Sequence, residues 1–330
     1  MNRKNRIFIT RQIPQTALDL LHKYFQVEMF GEDRPIKKTE LKRAIKNKTG
    51  LISLLTDSID KEVMDSAPML RIIANYAAGY NNIDVAEATK RGIMVTNTPG
   101  VLTETTADLT FGMILAICRR IPEAERFLRK GNFKGWAPML FLGADVHHKT
   151  IGIIGMGRIG RAIARRALGF GMKILYYDKI RLPLDQEIKL CINYKPINYI
   201  LKNADFVTIH TPLTKETHHL ISHREFDQMK RTAFIINTAR GPVIDETALV
   251  KALKNKKISG CALDVFENEP RVSKELLKMT NALLLPHIGS ATLETRTNMA
   301  MMCAQSLITA LIKQKTPPNL VNLEVLRRKI

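Results

Sequence analysis

The fold of this chain is decided by the stretch Thr150-Ile-Gly-Ile-Ile-Gly155-Met-Gly157-Arg-Ile-Gly160-Arg-Ala-Ile-Ala. Its apolar beginning is typical of a buried strand, and the residues after Gly157 are typical of a helix. Gly155 permits a tight turn, Gly157 lets a ligand approach the backbone, and Gly160 allows the helix to pack closely on the strand. The stretch therefore predicts a strand, a turn and a helix whose N-terminal N–H groups face an anion.

The next strand gives this glycine pattern the context that it needs. Lys173–Tyr177 is predicted as a strand, and Asp178 follows it, 18 residues after Gly160. At this position a carboxylate accepts the ribose hydroxyls of NAD and repels the 2′-phosphate of NADP. Glycines alone are a weak signal, because turns collect them anyway, but the whole series predicts dinucleotide binding. Lys179 and Arg181 can accommodate a 2′-phosphate, so NADPH stays open as the alternative to the preferred NADH.

Strands and helices alternate on both sides of this stretch. Strand-like runs are 6–10, 27–30, 51–55, 71–74, 94–96, 206–210, 233–237, 260–263 and 282–285. Helical patterns include 14–24, 39–46, 85–90, 104–118 and 292–312. Such alternation predicts an α/β fold, with parallel sheets covered by helices on both faces.

Length and composition limit the classes of protein to which the chain can belong. The chain has 330 residues, 45% of them hydrophobic and 25% charged, which is ordinary for a globular protein of about two domains. It has no apolar run of the roughly 20 residues that cross a bilayer. The basic segment 1–6 lacks the apolar core of a signal peptide. We expect a cytoplasmic protein with no membrane partner.

The net charge of +20 raises the question of nucleic acid. The lysines are spread along the chain, and the denser stretches 37–48 and 251–257 contain no interleaved aromatic residues. We therefore expect solvated helix faces that attract anionic small molecules, and no nucleic-acid partner.

The cysteines and histidines predict no metal site. The four cysteines are far apart and form no CxxC pair, which indicates reduced thiols that pack as small apolar groups: Cys118, Cys191, Cys261 and Cys303. The pairs His147-His148 and His218-His219 lack the i, i+4 spacing of a helical zinc site. We expect them to be surface or loop imidazoles.

Three segments that follow predicted strands supply groups for hydride transfer to a keto acid. Such a reaction needs a cation for the substrate carboxylate, a proton donor at the carbonyl oxygen, and a group that tunes the donor. Arg240 precedes Gly-Pro, Glu269 ends an acidic segment, and His287 lies between a strand and a helix. Alone, each is more simply a turn arginine, a solvated acid or a structural histidine. Because ligands bind at the carboxyl edge of an open α/β sheet, the three together predict an acid–base site.

Five segments in order carry a resemblance to a known family. They are Gly155–Gly160, His210-Thr-Pro-Leu-Thr-Lys-Glu-Thr-His-His-Leu-Ile, and 237–246, 263–270 and 286–292. Together they resemble the D-isomer-specific 2-hydroxyacid dehydrogenases over about residues 6–325. Within that family the chain is most similar to the glyoxylate/hydroxypyruvate reductases, in the segments 7–14, 141–143 and 149–155.

The resemblance implies a role for each reacting group. Arg240 binds the substrate carboxylate, His287 donates the proton during reduction, and Glu269 bonds and orients the imidazole. The backbone N–H groups of Ala78 and Gly79 help to hold the carboxylate. Implied cofactor contacts are Gly155, Gly157, Arg158, Ile159, Gly160, Asp178, Thr106, His210, Pro212, Thr238, Ala239, Arg240, Asp264, His287 and Gly289, with Asp264 at the nicotinamide amide.

The resemblance also implies the architecture. Two doubly wound parallel-sheet domains, Rossmann-like and flavodoxin-like, have an active-site cleft between them. The substrate-binding domain is discontinuous, 1–99 plus 288–330, and the NAD-binding Rossmann domain is 100–287. Members of the family form homodimers, and Trp136 stands in a loop that in glyoxylate reductases reaches the partner's active site. Packing at the dimer interface alone is an equal alternative.

We therefore predict NADH-dependent reduction of glyoxylate or hydroxypyruvate to the D-2-hydroxy acid by a homodimer. Related glyoxylate reductases carry Ser-Arg where this chain has Asp178-Lys179, so their cofactor preference does not transfer. Family dehydrogenases for D-3-phosphoglycerate, D-lactate or phosphite are alternatives, whereas formate dehydrogenases pair the histidine with glutamine in place of Glu269. In another class, the alternative is an NAD-sensing binding protein similar to the corepressors of this fold.

Overall fold

The computed structural model describes residues 5–328, which fold into two compact units. Unit 1 consists of the residues up to Leu102 together with those from Ser290 onward, and unit 2 is Thr103–Gly289. The domain boundaries expected from the sequence, after residues 99 and 287, fall a few residues before these breaks.

Strands and helices alternate along most of the chain. The strands are β1 (Arg6–Ile9), β2 (Gln26–Met29), β3 (Gly50–Ser53), β4 (Ile72–Asn75), β5 (Met94–Thr96), β6 (Thr150–Ile154), β7 (Lys173–Tyr177), β8 (Ile192–Tyr194), β9 (Phe206–Ile209), β10 (Phe234–Asn237), β11 (Gly260–Leu263) and β12 (Ala282–Leu284). The α-helices are α1 (Gln15–Tyr24), α2 (Lys38–Ala44), α3 (Lys61–Asp65), α4 (Val85–Lys90), α5 (Thr103–Cys118), α6 (Ile121–Arg129), α7 (Arg158–Gly169), α8 (Leu184–Lys189), α9 (Ile197–Asn203), α10 (His223–Gln228), α11 (Glu246–Lys254) and α12 (Leu293–Leu311).

Unit 1 is built on a five-stranded parallel sheet in the order β2-β1-β3-β4-β5, which is the flavodoxin-like order. Helices α1 and α12 cover one face, and α2, α3 and α4 cover the other. Gly50 in β3 lets α12 pack closely, because a Cβ there would lie 2.9 Å from a methyl group of Leu307. The last helix of the chain is thus part of the core that the first strands form.

Unit 2 is built on a seven-stranded parallel sheet in the order β12-β11-β10-β9-β6-β7-β8. Side chains of α9, α10 and α11 pack on one face, and those of α5 and α7 pack on the other. The strand order reverses between β6 and β9, and ligands of doubly wound sheets bind at the carboxyl ends of the strands at such a point. The α/β class with two doubly wound parallel sheets is confirmed.

The structure departs from the sequence analysis in a few local details. The strand predicted at 51–55 ends at Ser53, because the Leu54 N–H turns to the Asp57 carboxylate at 2.7 Å. Cys191 is exposed in a left-handed turn, φ 50°, so the prediction that it packs as an apolar group is wrong. The other three cysteines are free and buried.

The structure also bears on His219, on membrane-spanning helices and on metal sites. His219 lies in a turn, as predicted, and its Nε2 lies 2.7 Å from the Glu267 carboxylate. Within residues 5–328 no helix is both long and apolar enough to cross a bilayer. The same residues contain no group of three or more His, Cys, Asp or Glu side chains placed to hold a metal ion.

Candidate active site

The glycine-rich turn joins β6 to α7, and packing explains two of its three glycines. Gly155 has a φ of 98°, and a Cβ there would lie 2.6 Å from the carbonyl carbon of His210. A Cβ at Gly160 would lie 2.2 Å from the carbonyl oxygen of Gly155. At Gly157, the N-cap of α7, a Cβ would meet no described atom within 4 Å. The protein itself therefore does not require Gly157, whose open side at a helix N-terminus suits a phosphate group.

Asp178 and Arg181 are held by different partners at the end of β7. The Asp178 carboxylate accepts the Met156 N–H at 2.6 Å and so ties this strand end to the glycine turn. The Arg181 guanidinium donates to both oxygens of the buried Glu187 at 2.8 Å. The hydroxyl of Tyr176 donates to the same carboxylate at 2.5 Å. The hydrogen bonds from Arg181 and Tyr176 lower the pKa of Glu187 to about 2, so this ion pair persists at neutral pH.

Glu269 and His287 form a hydrogen-bonded pair. His287 Nδ1 lies 3.0 Å from one oxygen of Glu269, and the other oxygen accepts the Phe266 N–H at 3.0 Å. Burial raises the pKa of Glu269, but the bond to His287 and the charges of His287 and Arg240 outweigh it, so the pKa is lowered. His287 has a φ of 56°, a conformation that is rare outside glycine and that is often found at functional sites.

Arg240 lies in a loop that is fixed by the end of β10. The buried side chain of Asn237 donates to the Arg240 carbonyl at 2.9 Å and accepts the Ala239 N–H at 3.0 Å. A Cβ at Gly241 would lie 1.9 Å from the carbonyl carbon of Phe266, so this loop packs directly on the one that carries Glu269. Burial lowers the pKa of the guanidinium, and the Glu269 charge opposes that effect.

Asp264 fixes the backbone that follows His287. Its two oxygens accept the N–H groups of Ile288 and Gly289, each at 2.7 Å. Burial is the main reason that the pKa of Asp264 is raised. The Gly289 carbonyl in turn accepts the Thr106 hydroxyl at 3.0 Å. Asp264 therefore acts on the geometry of the His287 loop, in addition to any contact with a ligand.

Two further predicted cofactor residues of unit 2, His210 and Thr238, directly follow β9 and β10. Thr238 and Thr110 share a hydrogen bond of 2.9 Å in the interior. Burial lowers the pKa of His210 to about 3, so its imidazole is neutral. His210 Nε2 lies 2.7 Å from the Thr208 hydroxyl, and its buried Nδ1 has no partner among residues 5–328. An orphaned buried nitrogen beside the glycine turn fits a site where a polar ligand atom completes the hydrogen bonding.

The predicted carboxylate contacts, Ala78 and Gly79, lie in unit 1, in the loop after β4. Both residues are partly exposed. Within residues 5–328 no acceptor is found for either N–H group, whereas the neighbouring Ala77 N–H donates to the Asn75 carbonyl at 2.8 Å. Unpaired successive N–H groups are typical of backbone anion sites.

A sequence comparison decides which family this is. The model of the D-isomer specific 2-hydroxyacid dehydrogenase, NAD binding domain, matches residues 111–289, more than half of the chain. The matched range lies within unit 2 and includes the glycine turn, Arg240, Glu269 and His287. The chain belongs to the D-isomer specific 2-hydroxyacid dehydrogenase family. It is therefore an oxidoreductase that binds a nicotinamide cofactor.

Full-length relatives place it more closely within these dehydrogenases. It is 52% identical to a glyoxylate reductase of Korarchaeum cryptofilum and 50% identical to one of Thermococcus litoralis, each over 98% of both chains. Among solved structures it resembles an NADPH-dependent glyoxylate/hydroxypyruvate reductase of Sinorhizobium meliloti in complex with NADP and malonate. That match has a TM-score of 0.87 and 32% identity, and it covers 98% of each chain.

In this dehydrogenase, unit 2 brings most of the predicted groups to one sheet edge. Strands β10, β11 and β12 are adjacent and parallel, so Arg240, Asp264 and His287 follow carboxyl ends that lie side by side. Sequence analysis missed Glu187 and Asn237, which position Arg181 and the Arg240 loop. Asn237 begins the segment 237–246, which carries part of the family resemblance, but Glu187 stands in a short helix without any distinguishing pattern.

Proposed function

We propose that this dehydrogenase reduces glyoxylate, and hydroxypyruvate as a second substrate, with NADH. The observation that carries the proposal is the Glu269–His287 pair, 3.0 Å apart, in the unit that also holds Arg240 and the glycine turn. The names of the relatives that are about half identical over their full length favour glyoxylate among the 2-keto acids.

The residues present fit a dinucleotide. The open side of Gly157 and the N-terminus of α7 suit the pyrophosphate, and the orphaned Nδ1 of His210 offers a polar contact beside them. Arg158, Ile159, Pro212 and Ala239 are further contacts in the proposal. When bound, the nicotinamide supplies the hydride that reduces the carbonyl carbon.

Each reacting side chain has one task in the proposed mechanism. Arg240 binds the substrate carboxylate in unit 2, where its partly buried guanidinium gains most from an anion. His287 donates the proton from Nε2 to the carbonyl oxygen as that oxygen gains charge. Ionised Glu269 holds Nδ1, fixes the ring and stabilises its protonated form. The overall reaction converts glyoxylate, NADH and a proton into glycolate and NAD.

Two groups at the end of β7 support the proposed preference for NADH. Asp178 offers a carboxylate for the ribose hydroxyls and repels a 2′-phosphate. The charge of Arg181 is already neutralised by Glu187, which weakens the argument for NADPH that the sequence left open.

The proposal also includes a cytoplasmic homodimer. Loop 131–143 is rich in exposed apolar side chains, and Trp136 is 83% exposed. Aromatic and aliphatic groups exposed together are typical of a surface that another chain covers.

The test is a turnover assay of the purified protein with a panel of 2-keto acids and both cofactors. We expect the highest kcat/KM with glyoxylate and NADH, lower values with pyruvate and 3-phosphohydroxypyruvate, and loss of turnover in His287→Ala. A higher kcat/KM for another keto acid would reassign the substrate. NADH binding without turnover of any keto acid would instead support the corepressor-like alternative.

A further inference from the structure

Glu246, the first residue of α11, joins two segments of unit 2 that carry reacting groups. One of its carboxylate oxygens accepts the Glu267 N–H at 3.1 Å, and the other accepts the Ser273 N–H at 3.1 Å. Glu269 stands between these two residues in the sequence. The Glu246 carboxylate therefore bridges the two ends of the loop 267–273, and this loop carries Glu269.

The same carboxylate fixes the peptide unit that joins Phe266 to Glu267. The Glu267 N–H belongs to this planar unit, so the bond to Glu246 also fixes the direction of the Phe266 carbonyl. Gly241 packs on the unit, because a Cβ at Gly241 would lie 1.9 Å from the Phe266 carbonyl carbon and 2.5 Å from the Glu267 nitrogen. Gly241 directly follows Arg240. The position of this one peptide unit thus sets the spacing between the Arg240 loop and its neighbour.

Two acidic side chains meet at this point, and each accepts the backbone N–H of the other. The Glu246 N–H donates to one oxygen of Glu267 at 3.0 Å, and the other oxygen lies 2.7 Å from His219 Nε2. Both oxygens of Glu246 are occupied by N–H groups of the loop 267–273. Because an amide has a single oxygen, Glu246→Gln leaves one of these two N–H groups without its acceptor.

We propose that Glu246 is a positioning residue for the Glu269–His287 pair, because it holds the loop from which Glu269 reaches the imidazole. This inference rests on the proposed function, in which that pair supplies the proton. Glu246 acts through the backbone of the loop. Its contribution is to keep the Glu269 carboxylate in one place before the substrate binds, so that the imidazole is already oriented when the hydride is transferred.

Several titratable groups surround this part of unit 2, so charge and geometry have to be separated. They are Arg240, Asp264, Asp245, His219, His223, Glu267 and Cys261. Glu246→Gln keeps all of them but removes one negative charge together with one hydrogen bond. Glu246→Asp keeps the charge, and its side chain is one methylene too short to reach both N–H groups in their present places. An effect that both variants share is therefore an effect of geometry.

The test compares both variants of Glu246 with the control Asp205→Asn in the full-length enzyme. Asp205 is also a partly exposed carboxylate that holds two donors, the Thr150 N–H at 2.9 Å and the Lys230 ammonium at 2.8 Å. It directly precedes β9, so it lies at the amino ends of the strands, the edge opposite to the reacting groups. The pH profile of kcat/KM for glyoxylate is measured with and without Glu269→Gln in the same chain. A crystal structure of each variant is determined in parallel.

We expect kcat/KM to fall by about tenfold in both variants of Glu246, the effect of one misplaced hydrogen bond to a charged group, and the alkaline limb to move to lower pH. Added to Glu269→Gln, the same changes should have little further effect, because the two residues act on one interaction. The crystal structures should show a separation between Glu269 and His287 Nδ1 longer than the present 3.0 Å. Asp205→Asn should lower the melting temperature and leave the limb and the separation unchanged. Glu246→Asp decides the matter if Glu246→Gln does not fold.

An unmoved alkaline limb in a folded variant of Glu246 would overturn the proposal, and so would an equal shift in Asp205→Asn. A further tenfold loss on combination with Glu269→Gln would overturn it as well, because the two residues would then act independently. Failure of the proposed function is distinguishable from these results. A wild-type enzyme that reduces no keto acid refutes the function, while the crystal structures still decide whether Glu246 holds Glu269 against His287.

Discussion

Replacing Glu269 by glutamine removes a charge from the pair with His287 and keeps the size of the side chain. The carboxylate uses separate oxygens for His287 Nδ1 and for the Phe266 N–H. An amide has only one oxygen, so it cannot accept from both donors. The variant therefore loses the negative charge and one of the two hydrogen bonds.

The size of the expected shift in the pH profile follows from the strength of the hydrogen bond between Glu269 and His287. A hydrogen bond to a charged group contributes roughly 1.5–3 kcal/mol, against about 1 kcal/mol for a neutral one. The gain over a neutral bond is therefore roughly 0.5–2 kcal/mol. Solvent screening keeps it below the upper limit, because the side chains of His287 and Glu269 are 28% and 31% exposed. A difference of about 1.4 kcal/mol corresponds to roughly one pH unit in the loss of a proton.

The direction in which the pH profile should move follows from the direction of the reaction. Reduction consumes a proton from the imidazole, so activity falls as pH rises and that proton is lost. The Glu269 carboxylate, whose own pKa the His287 partner helps to lower, favours a positively charged ring, and the variant lacks that charge. The alkaline limb of kcat/KM for glyoxylate should therefore move to lower pH.

The assay is kcat/KM for glyoxylate across the neutral and alkaline range, with Glu267→Gln as the control. Glu267 also pairs with a histidine, His219, at 2.7 Å, and it lies two residues away from Glu269. The control removes the same charge and should leave the alkaline limb in place. An unmoved limb in Glu269→Gln, or an equal shift in the control, would refute the proposed role of Glu269.

Three other variants test other parts of the site. Asp178→Ser should reduce the NADH over NADPH ratio of kcat/KM by roughly tenfold, the effect of about 1.4 kcal/mol of lost repulsion; an unchanged ratio would remove Asp178 from cofactor selection. Gly241→Ala places a Cβ 1.9 Å from a carbonyl carbon and must displace the loop that carries Arg240, so kcat/KM for glyoxylate should fall by about 100-fold in the turnover assay. Trp136→Ala should weaken the proposed dimer by about 2 kcal/mol, seen as dissociation at lower concentration in sedimentation, and unchanged self-association would exclude an interface role.

The elements that sequence reasoning finds best are strands that end directly before a polar residue. The bounds predicted for β5, β7 and β11 agree with the structure, because Asn97, Asp178 and Asp264 directly follow these apolar runs. The edge strand β8 was not predicted, since three residues with one side chain buried carry little pattern. Helix α6 was not predicted either, and none of its side chains is fully buried.

In the site, too, sequence motifs predict some of the residues, and tertiary contacts reveal others. The glycine turn, Arg240, Glu269 and His287 lie at strand ends, where polar residues after an apolar run are conspicuous. The bond between Arg181 and Glu187 spans only six residues, yet nothing in the sequence ranks Glu187 above its neighbours. Hydrogen-bond partners of this kind depend on proximity in the folded chain, which the periodicity of apolar residues in the sequence does not show.

The placement of α12 has a consequence for how the protein is made. Helix α12 covers the face of the first sheet that includes Ile7, Ile52 and Ile72, yet the whole of unit 2 is translated before it. The nascent chain therefore carries an uncovered aliphatic surface while a complete second core is being synthesised. Unit 2 is contiguous in the sequence, whereas unit 1 is incomplete until α12 has been synthesised. Until then the aliphatic face of its first strands stays open to contacts with other chains.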